Sequence, residues 1–180
     1  MSKGVRIVIL CEDQLHASFA RQLLQARGYS RHEIRVMVSP GGQGAGEQFV
    51  REKLSGEVQA MRWRRSHQQV ALLTITDADT QSVSTRVQSL ESAMMAGGQA
   101  PRTKTEPLAF LIPRRNIETW LLHLGGEEVD EELDYKQHWR GDRSCRQEAR
   151  AMAQGCASGF TTLPPLPSMQ HACAELCRLS

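Results

Sequence analysis

The chain lacks a membrane span: none of its apolar runs approaches the roughly 18 consecutive residues that a transmembrane helix needs. It lacks a signal-peptide pattern, and its first residues lead almost at once into strand-like sequence. It lacks a cysteine framework. Cys11, Cys145, Cys156, Cys173 and Cys177 are odd in number, widely spread and without a Cys-x-x-Cys pair, so they read as small apolar thiols. Cys173 and Cys177, four apart with His171 nearby, are too few ligands for zinc. It lacks a charge imbalance: a formal net charge of +2 over 180 residues does not announce a nucleic-acid binder. There is no internal repeat. The expectation is a soluble, reduced, cytoplasmic protein of one domain, with a small appendage at most.

What is present begins with two apolar runs, each followed by acids. Val5-Arg6-Ile7-Val8-Ile9-Leu10-Cys11 leads into Glu12-Asp13, and Val70-Ala71-Leu72-Leu73-Thr74-Ile75-Thr76 leads into Asp77-Ala78-Asp79. Such runs read as strands buried on both faces, as in a parallel sheet. Further strands are expected at about 33–38 and 108–112. Helices are expected at about 14–27, 46–62, 80–96, from Asn116 to Leu124, 144–155 and 169–179, the last capped by Ser168. Strands alternating with helices predict an α/β fold, a Rossmann-like, mostly parallel sheet with helices on both faces. Residues 1–124 form the α/β core in this reading. Residues 125–180 form an acidic loop and a small helical C-terminal extension. Right-handed crossovers place every strand's C-terminal end on one rim, where ligands of open α/β sheets bind. Carboxylates gathered there repel one another, and a hard divalent cation, most often Mg²⁺ bound together with substrate phosphates, relieves them.

These residues resemble a known family. Ile7-Val8-Ile9-Leu10-Cys11-Glu12 and Leu72-Leu73-Thr74-Ile75-Thr76-Asp77-Ala78-Asp79 resemble the Toprim domain of topoisomerases, bacterial primases, RecR-type proteins and OLD-type nucleases. Ile112-Pro113-Arg114-Arg115-Asn116-Ile117-Glu118-Thr119-Trp120-Leu121-Leu122 is similar to the Arg-x-x-Glu-x-Trp-Leu segment of small stand-alone bacterial Toprim-like proteins related to OLD-type nucleases. The resemblance covers residues 5–124. It implies Mg²⁺- or Mn²⁺-dependent chemistry on the phosphodiesters of DNA or RNA, with Glu12, Asp77 and Asp79 as catalytic and metal-binding residues. It also suggests a phage-defence setting beside a partner ATPase, and a homodimer is an assembly it admits. Two positions depart from the family pattern: Asp13 stands where glycine is common, and His16 where OLD-type proteins often carry a second acid. Asp13 or Glu118 would then have to supply the missing oxygen ligand.

Each candidate has a plainer alternative. Asp77 or Asp79 would serve well as the cap of the next helix, although capping does not account for Glu12. Glu118 is either a fourth metal carboxylate, or an orienter of Arg115, or a helix-dipole charge paired with Arg114 and Arg115. Arg62, Arg64 and Arg65 around Trp63, joined by Arg114 and Arg115, form the expected nucleic-acid-binding surface; otherwise they are a cationic helix end with Trp63 buried. Gly41-x-x-x-x-Gly46 is followed by Glu47-Gln48, so the Walker lysine and hydroxyl are missing and ATP binding is excluded there. The loop is a connector, or approaches phosphate through its backbone N–H groups. The acidic block from Glu127 to Asp134 reads as solvated surface, with a basic partner as its other reading. The function expected is a metal-dependent nuclease; the alternatives are a non-catalytic nucleic-acid-binding or assembly subunit, and a phosphotransferase acting on free nucleotide.

Overall fold

The structure is a computed structural model that describes residues 6–41, 45–140 and 143–179. Val5 of the first expected strand and Gly42–Gly44 of the glycine-rich loop lie outside the described residues. Four strands, β1 (Ile7–Cys11), β2 (Ile34–Val38), β3 (Ala71–Ile75) and β4 (Leu108–Leu111), form one sheet in the order β2-β1-β3-β4. Every pairing is parallel. The helices are α1 (Gln14–Ala26), α2 (Ala45–Arg65), α3 (Val83–Ala96), α4 (Ile117–Leu124), α5 (Arg146–Ser158) and α6 (Pro167–Leu176). The fold is therefore α/β and Rossmann-like, with helices on both faces of an all-parallel sheet.

Alternation along the strands builds the two layers. Ile7, Ile9 and Cys11 of β1 join Leu73 and Leu111 against α1, α4, α5 and α6. Val8 and Leu10 join Leu72 and Phe110 against α2 and α3. Because both faces are covered, β1 and β3 have no exposed residue and read as continuous apolar runs rather than alternating ones. On α2 the buried side chains Val50, Leu54, Val58 and Met61 recur at helical spacing, which turns one stripe onto the sheet. The segment after Leu124 is part of the same core: Trp139, Met152, Met169 and Leu176 pack in one cluster with Phe19, Leu23 and Trp120.

Several local expectations are corrected. Neither Asp77 nor Asp79 caps α3; Ser82 does, accepting from the Thr85 N–H at 3.1 Å. Ser168 does not cap α6, which begins at Pro167, a residue that has no N–H to leave unpaired there. The Ser168 hydroxyl instead accepts from Trp120 Nε1 at 2.7 Å and donates to Glu131. Cys156 and Cys173 are not free thiols: they form a disulfide that ties α5 to α6. Cys11 and Cys145 are buried and free, as expected, whereas the free Cys177 is exposed. No helix among the described residues is long and apolar enough to cross a membrane.

Candidate metal centre

The strand order reverses between β1 and β3. The chain steps outward from β1 to β2 and then returns to the other side of β1 to lay down β3 and β4. At such a switch point the loops leaving adjacent strands diverge and open a crevice. Register pairs Cys11 with Ile75, so the segments that follow, Glu12-Asp13 and Thr76-Asp77, leave the sheet side by side. Glu12 Oε1 accepts from the Asp77 N–H at 2.7 Å and from the Thr76 hydroxyl. The Glu12 backbone is closely approached by α2: a Cβ on Gly46 would sit 2.8 Å from Glu12 Cβ and 3.0 Å from Glu12 O. Gly46 is therefore required by this contact, which is a different role from the connector or phosphate loop expected of the glycine-rich segment.

His16 completes the centre. Asp13 caps α1, accepting from the His16 N–H at 3.0 Å, and the cap brings the imidazole of His16 back over the strand ends. Its Nδ1 lies 2.8 Å from Asp13 Oδ1 and its Nε2 lies 2.9 Å from Asp77 Oδ1. Ligand atoms of Glu12, His16 and Asp77 all fall within 4.8 Å of one another. His16 is 1% exposed and Asp77 3%, so these groups meet largely out of water.

Burial sets the electrostatics. It raises the Asp77 carboxyl to about 6, against the pull of the His16 charge and hydrogen bond. For His16 burial acts downward, but the Asp77 charge and the hydrogen bonds to Asp13 and Asp77 outweigh it and hold the imidazole well above its ordinary value. Asp13 is opposed by burial too, yet its hydrogen bond and attraction to His16 bring it down to about 2. The imidazole of His16 thus lies between two aspartates that favour its charged form. A metal ion fits the same demand for positive charge, and two carboxylates plus an imidazole are a donor set that divalent cations accept.

No family model, curated protein or solved structure matches this chain.

Asp79 and Glu118 lie outside the group of three. Asp79 holds a left-handed backbone (φ 53°), forms a bridge with Arg115 (φ 67°), and pairs with Arg86 at 3.4 Å and Lys136 at 3.7 Å. Glu118 is half-buried in the first turn of α4, where burial and the nearby Asp77 charge push it up to about 7. Glu12, Asp13, Glu47 and Asp79 line an open cleft of about 370 Å³ together with Arg86 and Lys136. Burial works to lower the Lys136 ammonium, but the charges of Asp77, Asp79, Asp134 and Glu118 hold it above its ordinary value.

Of the five arginines expected on one surface, the structure brings only two to this rim. Arg114 donates to both carboxylate oxygens of Glu132, at 3.2 and 2.6 Å, and to the Gln81 carbonyl. Arg115 lies 3.8 Å from Asp134. The acidic block is thus partly engaged with arginines rather than wholly solvated. Arg62, Arg64 and Arg65 end α2 at the opposite edge of the sheet, because α2 returns from the rim to the start of β3. Five-residue strands separate the edges by ~17 Å. There Arg62 is fixed to Glu106 at 2.7 and 3.0 Å and to the Ala100 carbonyl at 2.9 Å. Trp63 is 72% exposed rather than buried.

Sequence reasoning missed His16 as a participant, treating it as the loss of an acid, and it missed Lys136. A signal existed for His16, which lies three residues after a capping aspartate and four after Glu12 and so shares their end of the helix. Lys136 had none, since its approach depends on how the chain folds back after α4.

Proposed function

We propose that this chain is a Toprim-like, metal-dependent phosphodiesterase that cleaves DNA or RNA. The observation that carries the reading is the convergence of Glu12, His16 and Asp77 at the switch point of the sheet, with ligand atoms within 4.8 Å. Glu12 and Asp77 would hold the cation, joined or oriented by His16. An imidazole beside two carboxylates favours Mn²⁺ over Mg²⁺, because Mg²⁺ prefers oxygen-only surroundings. The bound ion would polarise a phosphoryl oxygen and acidify a water molecule. Glu118, with its carboxyl raised to about 7, suits proton exchange with water at neutral pH. Asp79 pairs with Arg86 and Lys136, and Lys136 and Arg115 would meet phosphate charge. A phage-defence setting with a partner ATPase belongs to the same reading.

One observation favours a second reading, a non-catalytic nucleic-acid-binding or assembly subunit of the same fold. Both nitrogens of His16 are engaged by carboxylates, so the His16 side chain, in place of a cation, answers the charge of Asp13 and Asp77.

The test is cleavage of labelled DNA and RNA with Mg²⁺, Mn²⁺ or EDTA, wild type beside Asp77→Asn and Glu12→Gln. Metal-dependent cleavage that falls by about 100-fold or more in both variants is expected. Salt-sensitive binding without cleavage by well-folded wild-type protein would transfer the reading to the subunit.

A further inference from the structure

The two edges of the sheet differ in charge. The rim cleft is lined by four acids and two cations. At the opposite edge lies a basin of about 520 Å³ lined by Arg6, Arg65 and Arg178 and, among the described residues, by no aspartate or glutamate. It sits where the strands begin, against Val70 and Ala71 before and within β3 and Pro107 before β4.

Each of the three guanidiniums lies beside a glutamate that is itself buried. Arg6 pairs with Glu33 at 3.5 Å, Arg178 with Glu175 at 3.2 Å, and Arg65 reaches Glu106 at 4.0 Å. Two of these acids are shared: Glu106 also binds Arg62, and Glu175 also binds Arg102. Their negative charge is therefore divided, and it stays in the interior while the arginines face the basin. Gln68 and Thr105 add polar side chains, and Tyr29 adds a ring. Arg6 also donates to Gln69 at 3.0 Å and Arg178 to the Thr103 carbonyl at 2.8 Å, so these two are held in place, and the N–H groups that remain, with those of Arg65, suit phosphate oxygens. The volume lies in the range of small-ligand sites and exceeds what a single phosphate needs.

We propose that this basin is an anion site for a phosphate-bearing ligand, either a free nucleotide or pyrophosphate group, or a phosphodiester of a polynucleotide. It is separate from the metal centre. It stands whether or not the rim cleaves anything.

The experiment measures binding to the full chain in EDTA at low and high salt. The probes are inorganic pyrophosphate, adenosine monophosphate and a short fluorescein-labelled oligothymidylate. Variants are Arg65→Gln, which loses only a long contact to Glu106, and Thr105→Glu, which adds a carboxylate at an exposed position in the basin. Binding of at least one probe should weaken about tenfold in Arg65→Gln and more in Thr105→Glu. It should be unchanged in Arg64→Gln, whose side chain does not line the basin. Saturable binding of the small probes would identify a nucleotide or pyrophosphate site. Binding of the oligonucleotide alone would identify a path for a polynucleotide. No EDTA-resistant binding of any probe, or binding indifferent to both basin variants, would overturn the proposal.

Discussion

Asp77 shows how one residue's surroundings decide its chemistry. Its carboxyl is buried at a strand end, raised to about 6 by that burial, and held by the His16 imidazole on one side. Glu12 and Asp77 were legible as acids following apolar runs, because a strand-end acid projects into the crevice whatever the rest of the fold does. The role of Asp79 was less legible. Its left-handed backbone bridges it to Arg115, a contact between residues 36 apart that no local pattern encodes. Glu118 carries a pH prediction. Its ordinary value of 4.5 applies to the unfolded chain and about 7 to the folded one, so between those values the folded state holds more protons. Stability from this group is highest below 4.5 and falls as pH rises toward 7. In metal-free urea unfolding, Glu118→Gln should therefore gain stability relative to wild type on going from pH below 4.5 to pH above 7. A difference that is flat with pH would mean Glu118 is not a raised carboxyl.

At the scale of elements, strands and helices followed their periodicity, and the misreadings fell at ends. The run expected to form β3 opens at Val70 and the strand begins at Ala71; helix α3 was expected at 80 and begins at Val83, where Ser82 supplies the cap. End residues are chosen by capping geometry, which several nearby polar residues satisfy almost equally well in sequence. The link between α5 and α6 is the plainest case of a feature that sequence spacing could not announce. Cys156 and Cys173 belong to no recognisable pair until the two helices pack, and then they bond. Alkylation of denatured, unreduced protein should therefore modify three cysteines and not five, read by mass. Closing a loop of this length is worth ~3 kcal/mol, so Cys156→Ser should lower unfolding stability by about that amount.

At the scale of the whole molecule, the C-terminal third belongs to the core cluster and to the rim. Trp139, Met152, Met169 and Leu176 fill one core with α1 and the sheet, Glu132 and Asp134 meet the rim arginines, and Lys136 enters the cleft. A chain ended after Leu124 would expose the apolar face of α1 and of α4. It should lose cooperative thermal unfolding, as followed by circular dichroism; a sharp transition in that fragment would show that residues 1–124 fold without residues 125–180. The sequence by itself determined the α/β class, the parallel sheet and the placing of Glu12 and Asp77 at one rim. Those follow from local periodicity and from the handedness of crossovers, which act on short stretches of chain. Only the tertiary structure decided that His16 stands between Asp13 and Asp77, that Lys136 reaches Asp79, and that Arg62, Arg64 and Arg65 lie on the far edge from Arg114 and Arg115. Those facts depend on where a helix ends and which strand lies beside which, and such long-range packing leaves no mark in the local pattern of residues.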